Sequence, residues 1–323
     1  MTPKEAIETT QKELNENASK WQDRFVYYMT KTIENKQDII ERRKKFRKWG
    51  NLSVYFTIGR AKDNSNYFDL RYQGQSVGQV SVSRSDNTVK LHISKTQYAN
   101  NCNEKYLTGY PKDICTAGCY EWHSKPAKEF RKYFKSAPEK QEHPEHKYEN
   151  LLLNELSERD GKQKSLTFIQ PITIGKDLYF QMPTPLTASG DVIEYSDGHG
   201  GIDILARRRE GRKNTLTVFE LKDEYKETEK PEKVICQAIA YATFIAELCK
   251  TKAYDKFCEL CGLRKIDTIY VSILMPDPED GIEPIFTHKV YSVPNSEIKL
   301  ELHYTYFDKE GVKITRTSLV KKM

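Results

Sequence analysis

The residues best suited to chemistry lie in Glu220-Leu221-Lys222, which closes the run Leu216-Thr217-Val218-Phe219. Side chains alternate faces along a strand, so Leu216, Val218, Glu220 and Lys222 project together, opposite Thr217, Phe219 and Leu221. The first face begins apolar and ends in two charges. A carboxylate beside a lysine at the end of a buried strand can hold a divalent metal and a nucleophilic water. Asp203 opens the preceding strand-like segment. Residues 202–207 and 215–222 pair as a hairpin or lie as neighbouring strands, and either arrangement brings Asp203 beside Glu220. Two carboxylates and the Leu221 carbonyl then make an oxygen-lined site suited to Mg²⁺, with Mn²⁺ as a substitute. Such a metal acidifies a bound water and neutralises phosphate charge. Lys222 adds a compact cation that positions the water and steadies the charged transition state. The plainer readings are an edge-strand salt bridge for Glu220 and Lys222, and a turn role for Asp203 after Gly200-Gly201.

Asp203, a gap of sixteen residues, then Glu220-Leu221-Lys222 resembles the D…(D/E)XK signature of the PD-(D/E)XK (restriction-endonuclease-like) nuclease superfamily. Ile202 stands where the signature has proline. The resemblance implies a glutamate on the first core helix that helps hold metal. Glu149 in KYENLLLNEL fits that role, with Glu155 as runner-up. Gln237 and Tyr241, four apart on one helix face, resemble the QxxxY motif of the subgroup that includes the RecB nuclease domain and lambda exonuclease. There the glutamine orients water or ligands, and the tyrosine contacts substrate phosphate. The implied catalytic set is Asp203, Glu220, Lys222, Gln237 and Glu149. The implied metal ligands are Asp203, Glu220, Leu221 and Glu149. The similarity spans about residues 145–245. The expected activity is metal-dependent hydrolysis of DNA phosphodiester bonds, in defence or repair. The alternative is a catalytically silent relative serving as a nucleic-acid-binding or scaffold subunit.

Lys and Arg total 52 against 46 Asp and Glu, a net of +6 over 323 residues. The cations cluster. One run is Arg42, Arg43, Lys44, Lys45, Arg47 and Lys48, and another is Arg207, Arg208, Arg209, Arg212 and Lys213. Clustered cations suit phosphate backbones. The first run reads equally as a solvated helix face, whereas the second, between two candidate catalytic residues, reads as a DNA contact together with Tyr241. His199, four residues before Asp203, touches substrate or sits in a flexible loop. The seven scattered cysteines read as reduced thiols, with no metal or iron–sulfur cluster. No stretch approaches the roughly 20 apolar residues of a membrane span. The polar N-terminus lacks a signal-peptide core, so a cytoplasmic protein is expected.

These residues need elements to hold them. The pattern predicts a helix over 3–49 and three or four antiparallel strands over 51–95. It predicts irregular chain over 96–118 and a short helix over 122–135. A linker near Pro138 suggests an N-terminal α+β domain, 1–140, that presents substrate or binds a partner protein. A domain at 141–323 would carry the site. It begins with a helix at 145–158 and strands in SLTFIQPITI and DLYFQMPTPL. A Gly-rich turn SDGHGG, the two site strands and a helix from Pro231 follow. Then come a second helix ending at Gly262, strand 267–276, and three tail strands with a turn at Asp308–Gly311. The expected class is α/β, a central mixed sheet flanked by helices.

Overall fold

The computed structural model describes residues 1–46, 52–57, 65–137, 144–157, 166, 168–175, 178–189, 191–210, 213–224, 229–278 and 281–319. For residues 144, 146, 198, 199, 210 and 213 it describes the backbone alone. The chain runs α1 (Pro3–Glu16), α2 (Ala18–Glu34), α3 (Lys36–Arg43), β1 (Leu52–Phe56), β2 (Ser65–Tyr72), β3 (Gln75–Ser83), β4 (Val89–Ile93) and α4 (Lys95–Cys102). It continues through β5 (Gly118–Glu121), α5 (Lys125–Lys135), α6 (Pro144–Ser157), β6 (Ile169–Pro171), β7 (Tyr179–Phe180), β8 (Pro183–Ser189) and β9 (Val192–Gly201). It ends with β10 (Ile204–Glu210), β11 (Lys213–Leu221), α7 (Pro231–Leu248), α8 (Tyr254–Cys261), β12 (Thr268–Pro276), β13 (Val290–Ser292), β14 (Lys299–Asp308) and β15 (Lys313–Thr317). The fold is mixed α/β. No helix among the described residues is long and apolar enough to cross a membrane.

Two units share the chain. The first gathers Met1–Ile33, Leu152–Ile172 and Gln181–Met323, and the second gathers Glu34–Leu151 and Thr173–Phe180. This division differs from a linear cut near residue 140, and the reason is apolar pairing across the sequence. In the first unit the rings of Trp21 and Phe25, on α2, meet Phe244 of α7 edge to face at 5.7 and 5.0 Å. In the second unit β7, from beyond residue 140, lies parallel to β1 with Tyr55 opposite Tyr179.

The second unit is built on a six-stranded sheet, β5-β4-β3-β2-β1-β7. Phe68, Leu70, Tyr72, Val80 and Leu91 point into its core. Ala127, Phe130 and Phe134 of α5, at helical spacing, cover them. The single helix expected over 3–49 is three. Asn17 closes α1 by donating its side-chain amide to the Glu13 carbonyl at 2.9 Å, and Asn35 precedes α3. Asn competes for backbone groups and so favours helix ends. The stretch expected to be irregular holds α4, started by a capping box of Ser94 and Gln97.

The first unit's main sheet runs β13-β14-β12-β11-β10-β6, with β15 also on β14. β11, β12 and β14 are parallel, and the other pairs are antiparallel. A helix buried on all sides must be apolar all round, and α7 is so: nearly every residue from Val234 to Leu248 is buried. SDGHGG is not a turn but the second half of β9, paired with β8. Gly200 explains why glycine recurs there. A Cβ at that position would lie 2.0 Å from the Leu186 carbonyl oxygen. Gly200→Ala is therefore expected to cost about 1–3 kcal/mol, the usual scale of overpacking. A thermal melt of the full chain that leaves its midpoint unchanged would contradict this.

Candidate active site

β10 and β11 form an antiparallel hairpin with Ile204 opposite Phe219. Asp203 lies in the bend just before β10. The Leu221 N–H donates to Asp203 Oδ2 at 2.8 Å, which ties the start of β10 to the end of β11. Strand alternation sends Val218, Glu220 and Lys222 to one face. The Lys222 ammonium donates to Glu220 Oε1 at 3.0 Å, and the two side chains are only 11% and 6% exposed. Burying such a pair costs several kcal/mol per ion, which its mutual attraction rarely repays with interest. A carboxylate–lysine pair held out of water is thus poor evidence for stability and better evidence for chemistry.

α7 supplies the next residues. Gln237 and Tyr241 are both buried, one turn apart. Burial pushes the Tyr241 phenol well above its usual pKa, and the negative charges of Glu220 and Asp203 push it further, against the Ala188 N–H and Lys222. Tyr241 therefore remains a neutral phenol within electrostatic reach of both carboxylates. The first unit thus brings together Asp203, Glu220, Lys222 and Tyr241, with Gln237 on the same helix.

Glu149 belongs to the second unit. It is buried, with the Tyr55 hydroxyl 3.4 Å and the Arg71 guanidinium 3.7 Å from its Oε1. Arg71 also stacks over the Tyr55 ring at 4.0 Å and meets Asp69 at 2.8 Å. Within its unit, Glu149 is part of a buried charged cluster.

The basic turn divides by strand alternation. Arg207 reaches Gln170 Oε1 at 2.9 Å. A Cβ on Gly262, which ends α8 at φ +65°, would lie 2.4 Å from its guanidinium. Arg208 points to the other face, where it is buried, donates to the Leu319 carbonyl and stacks over Tyr270 at 4.3 Å. The Arg208 guanidinium is thus directed into the protein interior, whereas Arg207 is half-exposed. Arg209 is exposed. Arg212 lies outside the described residues, as do the side chains of Lys213 and His199. The earlier run behaves similarly: Arg42 pairs with Asp38 at 2.9 Å and caps the β3–β4 turn through the Ser83 carbonyl and Asn87. Lys45 of that run is exposed, and Arg47 and Lys48 lie outside the described residues. All seven cysteines are free thiols.

One cluster went unread in the sequence: His288, Glu301 and His303 each offer a ligand atom within 4.8 Å of the others. The signal present was Glu301-x-His303, two like-facing ligands on one strand. Compared with protein-family models, curated proteins and solved structures, the chain matches none of them.

Proposed function

We propose that this chain is a divalent-metal-dependent nuclease of the PD-(D/E)XK type that hydrolyses phosphodiester bonds in DNA. The observation that carries this reading is Asp203 bonded to the Leu221 N–H at the end of β11, beside the buried Glu220–Lys222 pair. The order helix, strands, helix, strand, here α6, β6 with β10 and β11, α7 and β12, supports the same fold reading. The donor set fits a hard cation. Two carboxylates and the Leu221 carbonyl offer oxygen alone, the preference of Mg²⁺ and Mn²⁺. Mg²⁺ bound there would supply Lewis-acid neutralisation of the scissile phosphate. The protein's own part follows from its atoms. Asp203 and Glu220 hold the cation. The Lys222 ammonium places the attacking water and offsets charge on the phosphate. Gln237 orients that water, and Tyr241, as a neutral phenol, donates a hydrogen bond to a phosphate oxygen.

A second reading is supported by the contacts that tie the site residues to one another, Leu221 N–H to Asp203 and Lys222 to Glu220. It is a silent nucleic-acid-binding or scaffold subunit. Linear duplex, circular and single-stranded DNA incubated with the full chain in Mg²⁺, Mn²⁺ or EDTA separates the two. The nuclease reading expects metal-dependent cleavage that EDTA abolishes and that Lys222→Ala lowers by about 10²–10³-fold. Salt-sensitive binding without cleavage would favour the silent subunit instead.

A further inference from the structure

The cluster on β14 lies on the other face of the sheet from Glu220. Tyr270 neighbours both Glu301 and Thr217 in register, and Thr217 and Glu220 point to opposite sides of β11. Val290 of β13 faces Glu301. Just before β13 the pairing bulges: His288 N–H donates to the Leu302 carbonyl at 2.8 Å, and Leu302 N–H to the Lys289 carbonyl at 2.9 Å, so His288 and Lys289 both oppose Leu302. The two imidazoles meet edge to face with centroids 5.1 Å apart. Glu301 Oε1 lies 3.2 Å from His303 Nε2 and 3.8 Å from His288 Nδ1.

His303 is the residue that needs a reason. It is 2% exposed, and its Nδ1 shares a hydrogen bond with Ser318 Oγ at 3.0 Å. Its Nε2 is buried and has no hydrogen-bond partner among the described residues, although the Glu301 carboxylate is close. In the tautomer that carries its proton on Nδ1, toward Ser318, the Nε2 lone pair faces a carboxylate oxygen. A buried polar atom in that position calls for a partner, and a cation satisfies both sides at once.

We propose that His288, Glu301 and His303 bind one divalent transition-metal ion of the Zn²⁺ class. Two imidazole nitrogens and one carboxylate oxygen are donors for Zn²⁺, whereas Mg²⁺ and Ca²⁺ favour oxygen alone. Tetrahedral bonds of about 2.0–2.1 Å set ligand atoms about 3.3 Å apart, close to the two Glu301 separations. His288 is exposed, on a turn at φ +61°, so drawing it in moves a surface side chain and not the core. Ser318 holds the ring orientation of His303, as outer-shell partners do. The ion would pin the 284–289 turn to β14 and leave one tetrahedral position for water or a ligand.

The full chain, stripped with EDTA and desalted, is titrated with Co²⁺ and followed by its visible absorption bands. One equivalent should produce the intense spectrum of four-coordinate cobalt, and one equivalent of Zn²⁺, but not millimolar Mg²⁺, should erase it. His288→Ala and Glu301→Gln, each checked for an unchanged circular dichroism spectrum, should weaken binding at least about 100-fold, the upper end of what an outer-shell loss alone costs. Asp203→Asn should bind as the parent does, which keeps this site distinct from the nuclease reading. The proposal is overturned if the parent gives no such spectrum, if His288→Ala and Glu301→Gln both bind like the parent, or if Asp203→Asn removes the signal.

Discussion

Asp203→Asn is expected to lower DNA cleavage by about 10²–10⁴-fold, several kcal/mol of transition-state stabilisation, while raising the melting temperature of the metal-free protein. The substitution keeps size and shape, and the asparagine oxygen can still accept from Leu221 N–H, which now bonds Asp203 Oδ2 at 2.8 Å. What it removes is one of two negative charges that both act on the Tyr241 phenol. Like charges held close on a sheet are destabilising by roughly 0.2–1 kcal/mol. On the nuclease reading the parent chain tolerates that repulsion because a cation would need both oxygens, which would be stability given up for function. Mg²⁺ should therefore raise the melting temperature of the parent and leave that of the variant nearly unmoved. Cleavage that survives the substitution would remove Asp203 from the site. A fall in both activity and melting temperature would make it a structural residue.

Much of this site was legible because its parts are local. Asp203 and Glu220 are joined by a short hairpin, and period-two alternation alone places Glu220 and Lys222 on one face. The four-residue spacing of Gln237 and Tyr241 fixes their shared helix face in the same way. The same alternation, carried through Arg207 and Arg208, would have separated them to opposite faces; reading them as one basic turn obscured this. Ser94 and Gln97 spell a capping box that announces α4, yet the surrounding Asn, Gly and Pro read as loop. The glycines of SDGHGG read as a turn because sequence alone does not reveal the close approach of the Leu186 carbonyl to Gly200. Glu301 and His303 were visible as a pair, but His288 joins them only through the bulged turn before β13, which no local pattern announces. The two units depart from a linear cut near residue 140 for the same reason: a charged, proline-bearing linker marks where chain composition changes, not which apolar faces meet.

That last point carries the largest expected effect on stability. Phe244→Ala should destabilise the first unit by about 3–5 kcal/mol, the range for emptying a buried aromatic site. Phe244 is fully buried, and its ring is clasped by Trp21 and Phe25 of α2. Such pairs add roughly 0.5–1.5 kcal/mol beyond their buried area. The neighbouring contact between Gln11 and Glu247, at 2.6 Å, extends the same junction to α1. Trp21→Ala should be comparably severe, and the double substitution should cost less than the sum by about 0.5–3 kcal/mol, because each change empties part of one shared cluster. Equilibrium urea unfolding of the full chain, with both single variants and the double, measures that coupling. Additive losses would mean that α2 and α7 do not share a core, and would return the first 33 residues to a separate N-terminal domain. Coupled losses would mean that α7, which carries Gln237 and Tyr241, is held on its outer side by the first residues of the chain. Any variant that loosens α1 or α2 should then also weaken cleavage, without touching a single residue of the candidate site.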